Sequence, residues 1–178
     1  MRIFLNSLLT ISLLALAAPS AAQDRATEIA ISPIMSPDFH ACYRIDARRE
    51  WQRVTTKRGG EASIVVLSNL TGTQAQLDSL TPPYRWSVDD ARFARVGPEG
   101  HTGSAAQALE PFSGFKFLKN EPFGALIFRA NNVDPQAYPL ISGSARFPEG
   151  TQWIDFRIND TGLGDNGGGM QLCVAQGL

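Results

Sequence analysis

Residues 156–174 read FRINDTGLGDNGGGMQLCV, a stretch in which a loop rich in glycine and acid joins two apolar segments. In the first segment, Phe156 and Ile158 alternate with polar residues, which is the side-chain period of a β-strand. A second strand is predicted to begin at Met170. Glycine at this density costs backbone entropy and side-chain packing, and a simple turn needs fewer residues. The loop is therefore a candidate binding site as well as a turn.

Short apolar or alternating runs recur along the rest of the chain, separated by Gly, Pro and Asn. Their regular spacing predicts an all-β sandwich or barrel. We predict strands within residues 62–68, 84–88, 123–130, 139–147, 152–158 and 170–175. Only residues 74–80 and 104–110 have the spacing of a helical turn.

The run at 152–158 alternates strictly, so its two faces can be assigned. We expect Ile154, Phe156 and Ile158 to face the core, and Trp153, Asp155 and Arg157 to face outwards. An outward Trp153 is a candidate contact surface. Trp51 and Trp86 are expected to lie in the core or on a strand face.

The N-terminal residues have the pattern of a secretory signal peptide. Arg2 precedes an apolar run over residues 8–18, and small residues follow before a predicted cut after residue 22. We predict a signal peptide at 1–22, a loose leader at 23–38 containing Pro33 and Pro37, and a single β-sandwich domain at 39–178. The predicted location is the periplasm or the exterior, without membrane insertion because no other long apolar run exists.

The net charge of the chain indicates which classes of binding partner are not expected. The chain has 16 basic and 17 acidic residues, and removal of residues 1–22 takes away only Arg2, which leaves 15 against 17, or −2. Near-neutrality without a basic cluster argues against nucleic acid or anionic membranes as partners.

Two cysteines, Cys42 and Cys173, remain after the predicted cleavage. In an oxidising compartment they are expected to form one structural disulfide between the terminal strands. The sequence contains no CxxC pattern, which would have indicated a redox role. A ring of this length stabilises by at most about 4–5 kcal/mol in the chain-entropy model.

The loop at 156–174 offers oxygen donors from Asp160, Asp165 and Asn166. Calcium takes six to eight oxygens from carboxylates, amides and backbone carbonyls. Without a cation, two neighbouring carboxylates would repel and the pKa of one would rise. The glycines at 162, 164 and 167–169 are expected to turn carbonyls towards the ion. The spacing is not that of an EF-hand, and from spacing alone a plain polar turn remains the alternative.

Four motifs in order resemble the PA-IL-like bacterial lectins: VGPEGH (96–101), PFGALIFRA (122–130), FRIND (156–160) and GDNGGGMQLCV (164–174). The resemblance covers about residues 84–175. It implies a jelly-roll β-sandwich of the galactose-binding-like type. It also implies a calcium ion that bridges the protein to two hydroxyls of a bound sugar, with a galactoside as the family's ligand. Homo-oligomerisation is left open.

The resemblance implies which residues hold the ion and the sugar. Its metal ligands would be Asp160, Asp165, Asn166, a carbonyl near Leu163, and a carbonyl near Asp89 or Asp90. Its sugar contacts would be Asp160, Asp165, His101 and Gln107. This chain departs from the family in two places. The loop between Asp160 and Asp165 is shorter, and His101 and Gln107 replace a His-Pro-x-Gln segment at a different spacing.

Several segments have competing interpretations. His101 is expected to be a solvated loop residue unless it contacts the ligand, and the phenylalanines of residues 112–117 are expected to close the core rather than stack on a sugar. Neither the G-x-S-x-G motif nor the HExxH motif is present, so we predict that the protein is not an enzyme. The alternative to a calcium-dependent lectin is a non-catalytic periplasmic structural or protein-interaction β-sandwich without sugar binding.

Overall fold

The structure is a computed structural model that describes residues 24–29, 41–56, 62–66, 85–131, 133, 136–140 and 144–176, with the backbone alone at 62–66. The predicted signal peptide and the predicted helical turn at 74–80 lie outside the described residues. The strands are β1 Thr27–Ile29, β2 Ala41–Asp46, β3 Gln52–Thr55, β4 Ala62–Val66, β5 Trp86–Ser87, β6 Leu126–Ala130, β7 Tyr138–Pro139, β8 Ser144–Phe147, β9 Trp153–Ile158 and β10 Gly167–Gln176. A short helix, α1 Gly103–Leu109, continues into a 3₁₀ helix at Glu110–Phe115.

The strands form two sheets in which all the strand pairs are antiparallel. One sheet has the order β1-β2-β10-β4-β8, with β5 also paired to β10, and the other has the order β3-β9-β6-β7. The core lies between them and includes Ile45, Trp86, Leu126, Phe156 and Leu172, all fully buried. The all-β sandwich predicted from the strand spacing is confirmed, and the jelly-roll designation stays a prediction.

The strand predictions are confirmed at most positions, with one correction. The run at 139–147 was expected to hold one strand, but it contributes to two: β7 ends at Pro139, and β8 begins at Ser144 on the other sheet. The predicted helical turn at 104–110 corresponds to α1. Among the described residues, no helix has the length and apolar character needed to cross a membrane.

The predicted loose leader contributes to the fold. Within it, Thr27–Ile29 form strand β1, which pairs with β2 in the register Thr27↔Arg44 to Ile29↔Cys42. The N–H of Ala26 donates to the carbonyl of Arg53, at 3.0 Å. These backbone hydrogen bonds place this part of the leader on the edge of the sheet, although its polar sequence has no apolar period.

The predicted disulfide is confirmed. Cys42 and Cys173 lie directly opposite each other on β2 and β10, and both side chains are buried. The bond joins two central strands of one sheet across a sequence separation of 131 residues. In the described chain no cysteine is free.

Strand β9 shows where the period-2 pattern predicts burial and where it does not. Ile154, Phe156 and Ile158 are buried in the core as expected. Asp155 and Arg157, expected to face outwards into solvent, are also buried, at 0% and 4% exposure. This face of β9 lies between two strands, where charged and aromatic side chains of its neighbours cover it.

The cover on that face is an ionic and aromatic layer. Asp155 accepts hydrogen bonds from Arg53 at 2.8 Å and from Arg129 at 3.1 Å. The guanidinium of Arg53 also lies over Trp153, 4.0 Å from the ring centre. Trp153 is therefore partly covered by an arginine, which reduces the surface that it offers to a ligand.

Candidate functional site

The two loops that were predicted to supply a site lie side by side. The 88–95 loop follows β5, and the 159–166 loop follows β9. They are joined because β5 pairs with the first residues of β10, in the register Gly167↔Ser87, and the N–H of Asp90 donates to the carbonyl of Asp165 at 3.1 Å. This pairing places acids from distant parts of the sequence at one end of the sandwich.

Between these loops and the helical segment lies an open cavity of about 270 Å³, which we call the acid–aromatic cavity. Three carboxylates line it, from Asp89, Asp160 and Asp165. Its remaining wall is formed by Val88, Arg92, Phe93, Leu109, Phe112, Phe115, Phe123 and Gly162. The cavity therefore combines acidic oxygens with a mostly apolar wall that also carries one cation, Arg92. Its volume is just below the usual range for ligand pockets.

Asp160 is the most buried acid of the cavity, with 4% of the residue exposed. Burial raises the pKa of its carboxyl, and the charge of Asp165 raises it further, while hydrogen bonds from Gly162 and Asn166 oppose the rise. The N–H of Gly162 donates to Oδ1 of Asp160 at 2.9 Å. In the protein alone, these hydrogen bonds therefore do not fully offset the cost of burying the ionised Asp160 carboxylate.

After the Asp160 carboxylate, the second buried oxygen of interest in this loop is Oδ1 of Asn166. Its side chain is fully buried, and its Nδ2 donates to the carbonyl of Ala47 at 3.0 Å. That bond fixes the orientation of the amide, and Oδ1 is left buried without a hydrogen-bond partner. A buried acceptor in this state costs about 1–3 kcal/mol, so a ligand that supplies positive charge would relieve the cost.

Of the two backbone carbonyls that the resemblance implies as alternatives, at Asp89 or Asp90, the carbonyl of Asp89 is already engaged in hydrogen bonds. The carbonyl of Asp89 already accepts from the N–H groups of Arg92 and Phe93 and from the Ser87 hydroxyl, at 2.9–3.1 Å. Its carboxylate accepts from two N–H groups of the same turn. Asp89 is therefore engaged as a turn residue, although its side chain reaches the cavity wall.

Asp90 lies outside the acid–aromatic cavity. Its two carboxylate oxygens each accept a 2.7 Å hydrogen bond from the guanidinium of Arg95. The hydrogen bond to Arg95 lowers the pKa of the Asp90 carboxyl. The Asp90 side chain is thus the acid of an ion pair on the far side of the 88–95 loop. The backbone of Asp90 lies beside Asp165 through their 3.1 Å hydrogen bond, and the role of its carbonyl as a metal ligand stays a prediction.

Leu163 and Gln107 are also separated from the cavity. Leu163 packs against the hydrophobic core, and neither residue lines the cavity. Gln107 is exposed on α1, where its backbone carbonyl accepts the N–H of Glu110. No three His, Cys, Asp or Glu side chains are grouped to hold a metal ion within the described ranges. Within the 159–166 loop, the side chains that act on the Asp160 carboxyl are Asp165, through its charge, and Asn166, through a hydrogen bond.

The expectation that His101 is solvated is wrong. The residue is 2% exposed, its ring lies 5.7 Å from that of Phe93, and the N–H of Val88 donates to its Nε2 at 3.5 Å. Burial lowers the pKa of this imidazole. His101 fills space behind the cavity wall and is not among the residues that line the cavity.

The expectation that residues 112–117 close the core is also wrong. Phe112, Phe115 and Phe117 are 45%, 55% and 41% exposed. Phe112 and Phe115 line the acid–aromatic cavity, whereas Phe117 packs edge-on against Trp51 at 5.3 Å. The 3₁₀ helix ends at Phe115, and the hydroxyl and N–H of Thr161 both donate to the carbonyl of Phe115 at 2.8 Å. These bonds tie the aromatic segment to the acid loop.

Most of the glycines do not shape the loop as expected. Of the five, only Gly168 has a positive φ, at 84°, and Gly167–Gly169 belong to β10 rather than to the loop. A Cβ on Gly167 would collide with the carboxylate of Asp90, and one on Gly169 would lie 3.1 Å from Nε of Arg44. These glycines therefore make room for the Asp90 side chain of the 88–95 loop and for the backbone of segments next to β10.

Sequence reasoning missed Arg92 and Phe93 in the cavity and Arg157 beneath it. Arg157 donates from its guanidinium to the carbonyl of Asp160 at 2.6 Å, which anchors the start of the acid loop. Its place on β9, three residues before Asp160, was a signal that it could reach the loop. The turn that carries Arg92 into the cavity has no sequence period.

Comparisons with known proteins add a structural likeness. No family model and no curated protein matches the sequence. Among solved structures, the chain is similar to one described as the EclA N-terminal domain, a PllA-like lectin, with 15% identity and a TM-score of 0.47. The match covers 79% of this chain and 99% of that one. A likeness of this degree assigns neither a family nor a function.

Proposed function

We propose that the chain is a non-catalytic carbohydrate-binding domain that holds a calcium ion beside Asp160 and receives a sugar in the acid–aromatic cavity. The observation that carries the proposal is that the 159–166 loop holds two buried oxygen groups that are poorly compensated: the carboxylate of Asp160, whose pKa is raised by burial, and Oδ1 of Asn166, which has no hydrogen-bond partner. Asp165 adds a second carboxylate at the same wall. When bound, the ion would neutralise these oxygens and offer open coordination positions to sugar hydroxyls.

The donor types fit calcium better than a softer metal. The gathered atoms are carboxylate and amide oxygens, which are hard ligands, and no described His or Cys side chain joins them to favour zinc. The side chains of Asp160, Asp165 and Asn166 are the ligands that this chain would supply. The remaining positions would fall to backbone carbonyls, water and the sugar.

The apolar wall suits the other face of a sugar. Phe112 and Phe115 are half-exposed and face the same cavity as the acids. Aromatic side chains offer a large rigid apolar surface at low entropic cost, and a pyranose ring has a complementary apolar face. The chain would therefore hold hydroxyls at the acidic wall and C–H groups at the aromatic wall.

Calcium binding is tested by thermal melting of the mature protein with calcium and then with EDTA. A ligand that binds only the folded state raises the transition by RT ln(1 + [L]/Kd). Calcium at about one hundred times its Kd should stabilise the protein by about 2.7 kcal/mol. Asp160→Asn should abolish the shift, and Glu28→Gln, which removes an exposed acid from β1, should keep it.

Sugar binding is tested separately on a glycan array with and without calcium. Calcium-dependent spots that disappear in Asp160→Asn support the full proposal. A calcium shift with a blank array would limit the function to ion binding. If neither responds, the structural or protein-interaction β-sandwich becomes the better interpretation.

A further inference from the structure

A second pocket lies on the other side of the same paired loops. It has a volume of about 200 Å³ and is lined by Arg44, Asp46, Arg48, Asp90, Arg95, Gly167 and Gly168, and we call it the arginine pocket. Asp89 and Asp165 line the acid–aromatic cavity, while their neighbours Asp90 and Gly167 line the arginine pocket. The two pockets therefore flank one ridge, made by the 88–95 loop and the start of β10.

The charges of the arginine pocket do not cancel. Three guanidinium groups face two carboxylates, which leaves a surplus of one positive charge. Asp90 is committed to Arg95 by its two 2.7 Å hydrogen bonds. Oδ1 of Asp46 accepts the backbone N–H of Arg48 at 2.9 Å. Neither acid forms an ion pair with Arg44 or Arg48 among the described salt bridges.

Arg44 supplies the decisive atom. Its Nε is buried and has no hydrogen-bond partner, while the residue as a whole remains half-exposed. A buried charged donor without an acceptor is costly, more so than a neutral one. Arg48 has its Nε bound to the carbonyl of Asn166 at 2.7 Å, which fixes the guanidinium beside the pocket.

The glycines at the start of β10 lie against neighbouring backbone and against two of these arginines. A Cβ on Gly168 would collide with the carbonyl of Arg85 and lie 3.1 Å from Nε of Arg95. A Cβ on Gly169 would lie 2.8 Å from the carbonyl of Ile45 and 3.1 Å from Nε of Arg44. The glycine run therefore lets both the adjacent backbone and the guanidinium groups approach β10 closely.

We propose that the arginine pocket binds an oxyanion through Arg44 and Arg48, and that in the bound glycan this anion is the carboxylate of a uronic acid residue. Arginine presents planar, paired donors that match a carboxylate, sulfate or phosphate. The oxyanion site stands without the calcium site. Its assignment to an acidic glycan rests on the proposed function, because the sugar must cross the ridge from the acid–aromatic cavity.

The first experiment tests the anion site alone, with inorganic phosphate in EDTA and the mature protein. Saturable shifts of the amide NMR signals of Gly167, Gly168 and Gly169 are expected. Arg44→Gln and Arg48→Gln should each weaken binding about tenfold, the effect of losing charge-assisted hydrogen bonds. Arg49→Gln removes the same charge from an exposed neighbour outside the pocket and should change the Kd less than about twofold.

Arg44→Lys separates charge from geometry, since it keeps the positive charge but loses the paired donors. Binding weaker than in the parent protein is expected. Equal losses in Arg44→Gln and Arg49→Gln, or no saturable shift at the three glycines, would overturn the oxyanion site. A melting curve for each variant shows whether it is folded.

The second experiment compares a uronic acid disaccharide with its neutral methyl ester, both in calcium. Tighter binding of the acid, lost in Arg44→Gln, is expected. If the two bind equally while phosphate still saturates the glycines, the acidic-glycan assignment is overturned and the pocket serves a small free oxyanion. Phosphate binding that survives in EDTA also separates this site from the calcium proposal, because a failure of one leaves the other measurable.

Discussion

The 159–166 loop holds two buried polar side chains, Asp160 and Asn166, and the sequence predicted the position of only one of them. Asp160 ends a strand with a clear period, so its position at the edge of the sandwich follows from the pattern. The burial of Asn166 depends on its bond to the carbonyl of Ala47, 119 residues away in sequence. His101 was placed wrongly because its burial also depends on distant partners, Val88 and Phe93.

The raised pKa of Asp160 makes the stability of the calcium-free protein depend on pH. Because the folded pKa lies above the unfolded one, the folded state holds the proton more tightly. The contribution of Asp160 therefore favours folding below the ordinary Asp pKa and diminishes as the pH rises through the folded value. Urea unfolding in EDTA across pH 3–7 should show this slope in the parent protein, and Asp160→Asn should lack it.

Calcium affinity should have the opposite trend, since the ion requires the ionised carboxylate. It should weaken as the pH falls towards the folded pKa of Asp160. In calcium-free urea unfolding, the difference between the parent protein and Asp160→Asn isolates this group from the other titrating residues. Parallel pH profiles of unfolding for the two proteins would contradict the assignment of the raised pKa to Asp160.

At the scale of elements, the period of a strand predicted which side chains face the core, but it did not predict whether the opposite face is buried by neighbouring side chains. In β9 the inward set was correct, whereas Asp155 was buried because Arg53 and Arg129 arrive from strands on either side. The helical turn at α1 was predicted, but the exposure of the following phenylalanines was not. Burial of an apolar run depends on what packs over it, and the bonds from Thr161 to Phe115 hold the 3₁₀ helix beside the cavity.

The 3₁₀ helix supplies an aromatic wall that can be tested without changing the ion site. Phe115→Ala removes a 55% exposed ring from the cavity, while its backbone carbonyl can still accept from Thr161. Loss of one aromatic contact of about 0.5–1.5 kcal/mol should weaken sugar binding by about 2- to 12-fold, with the calcium shift unchanged. Isothermal titration with the sugar identified on the array measures the effect.

Phe117→Ala is the matched control, because it removes the same side chain from a 41% exposed position outside the cavity. Because Phe117 packs against Trp51, the variant should lose a small amount of stability, but its sugar affinity should not change. Equal loss of affinity in both variants would count against stacking in the cavity and would indicate a general effect on the segment.

For the whole molecule, strand spacing predicted the two-sheet sandwich, and cysteine count with compartment predicted the disulfide. Neither strand spacing nor the cysteine count could predict the order of the strands within the sheets. The pairing of β5 with the first residues of β10 brings the 159–166 loop to the 88–95 loop, and this pairing joins segments that are far apart in the sequence. The edge strand β1 was missed for the same reason, because its pairing with β2 and not its own sequence keeps it in the sheet.

The disulfide stabilises this arrangement chiefly through the unfolded chain. It closes a ring across 131 residues, and the chain-entropy model gives an upper value of about 4–5 kcal/mol for a ring of that length. The double variant Cys42→Ala/Cys173→Ala should therefore lose about 3–5 kcal/mol in urea unfolding, with reductant lowering the midpoint of the parent protein and not of the variant. Because the bond lies on β10 at Cys173, away from Gly167–Gly169, a folded variant should keep its calcium shift. A loss below about 1 kcal/mol would mean that the unfolded chain is already restricted without the bond, or that the bond strains the sheet and offsets its own entropic effect.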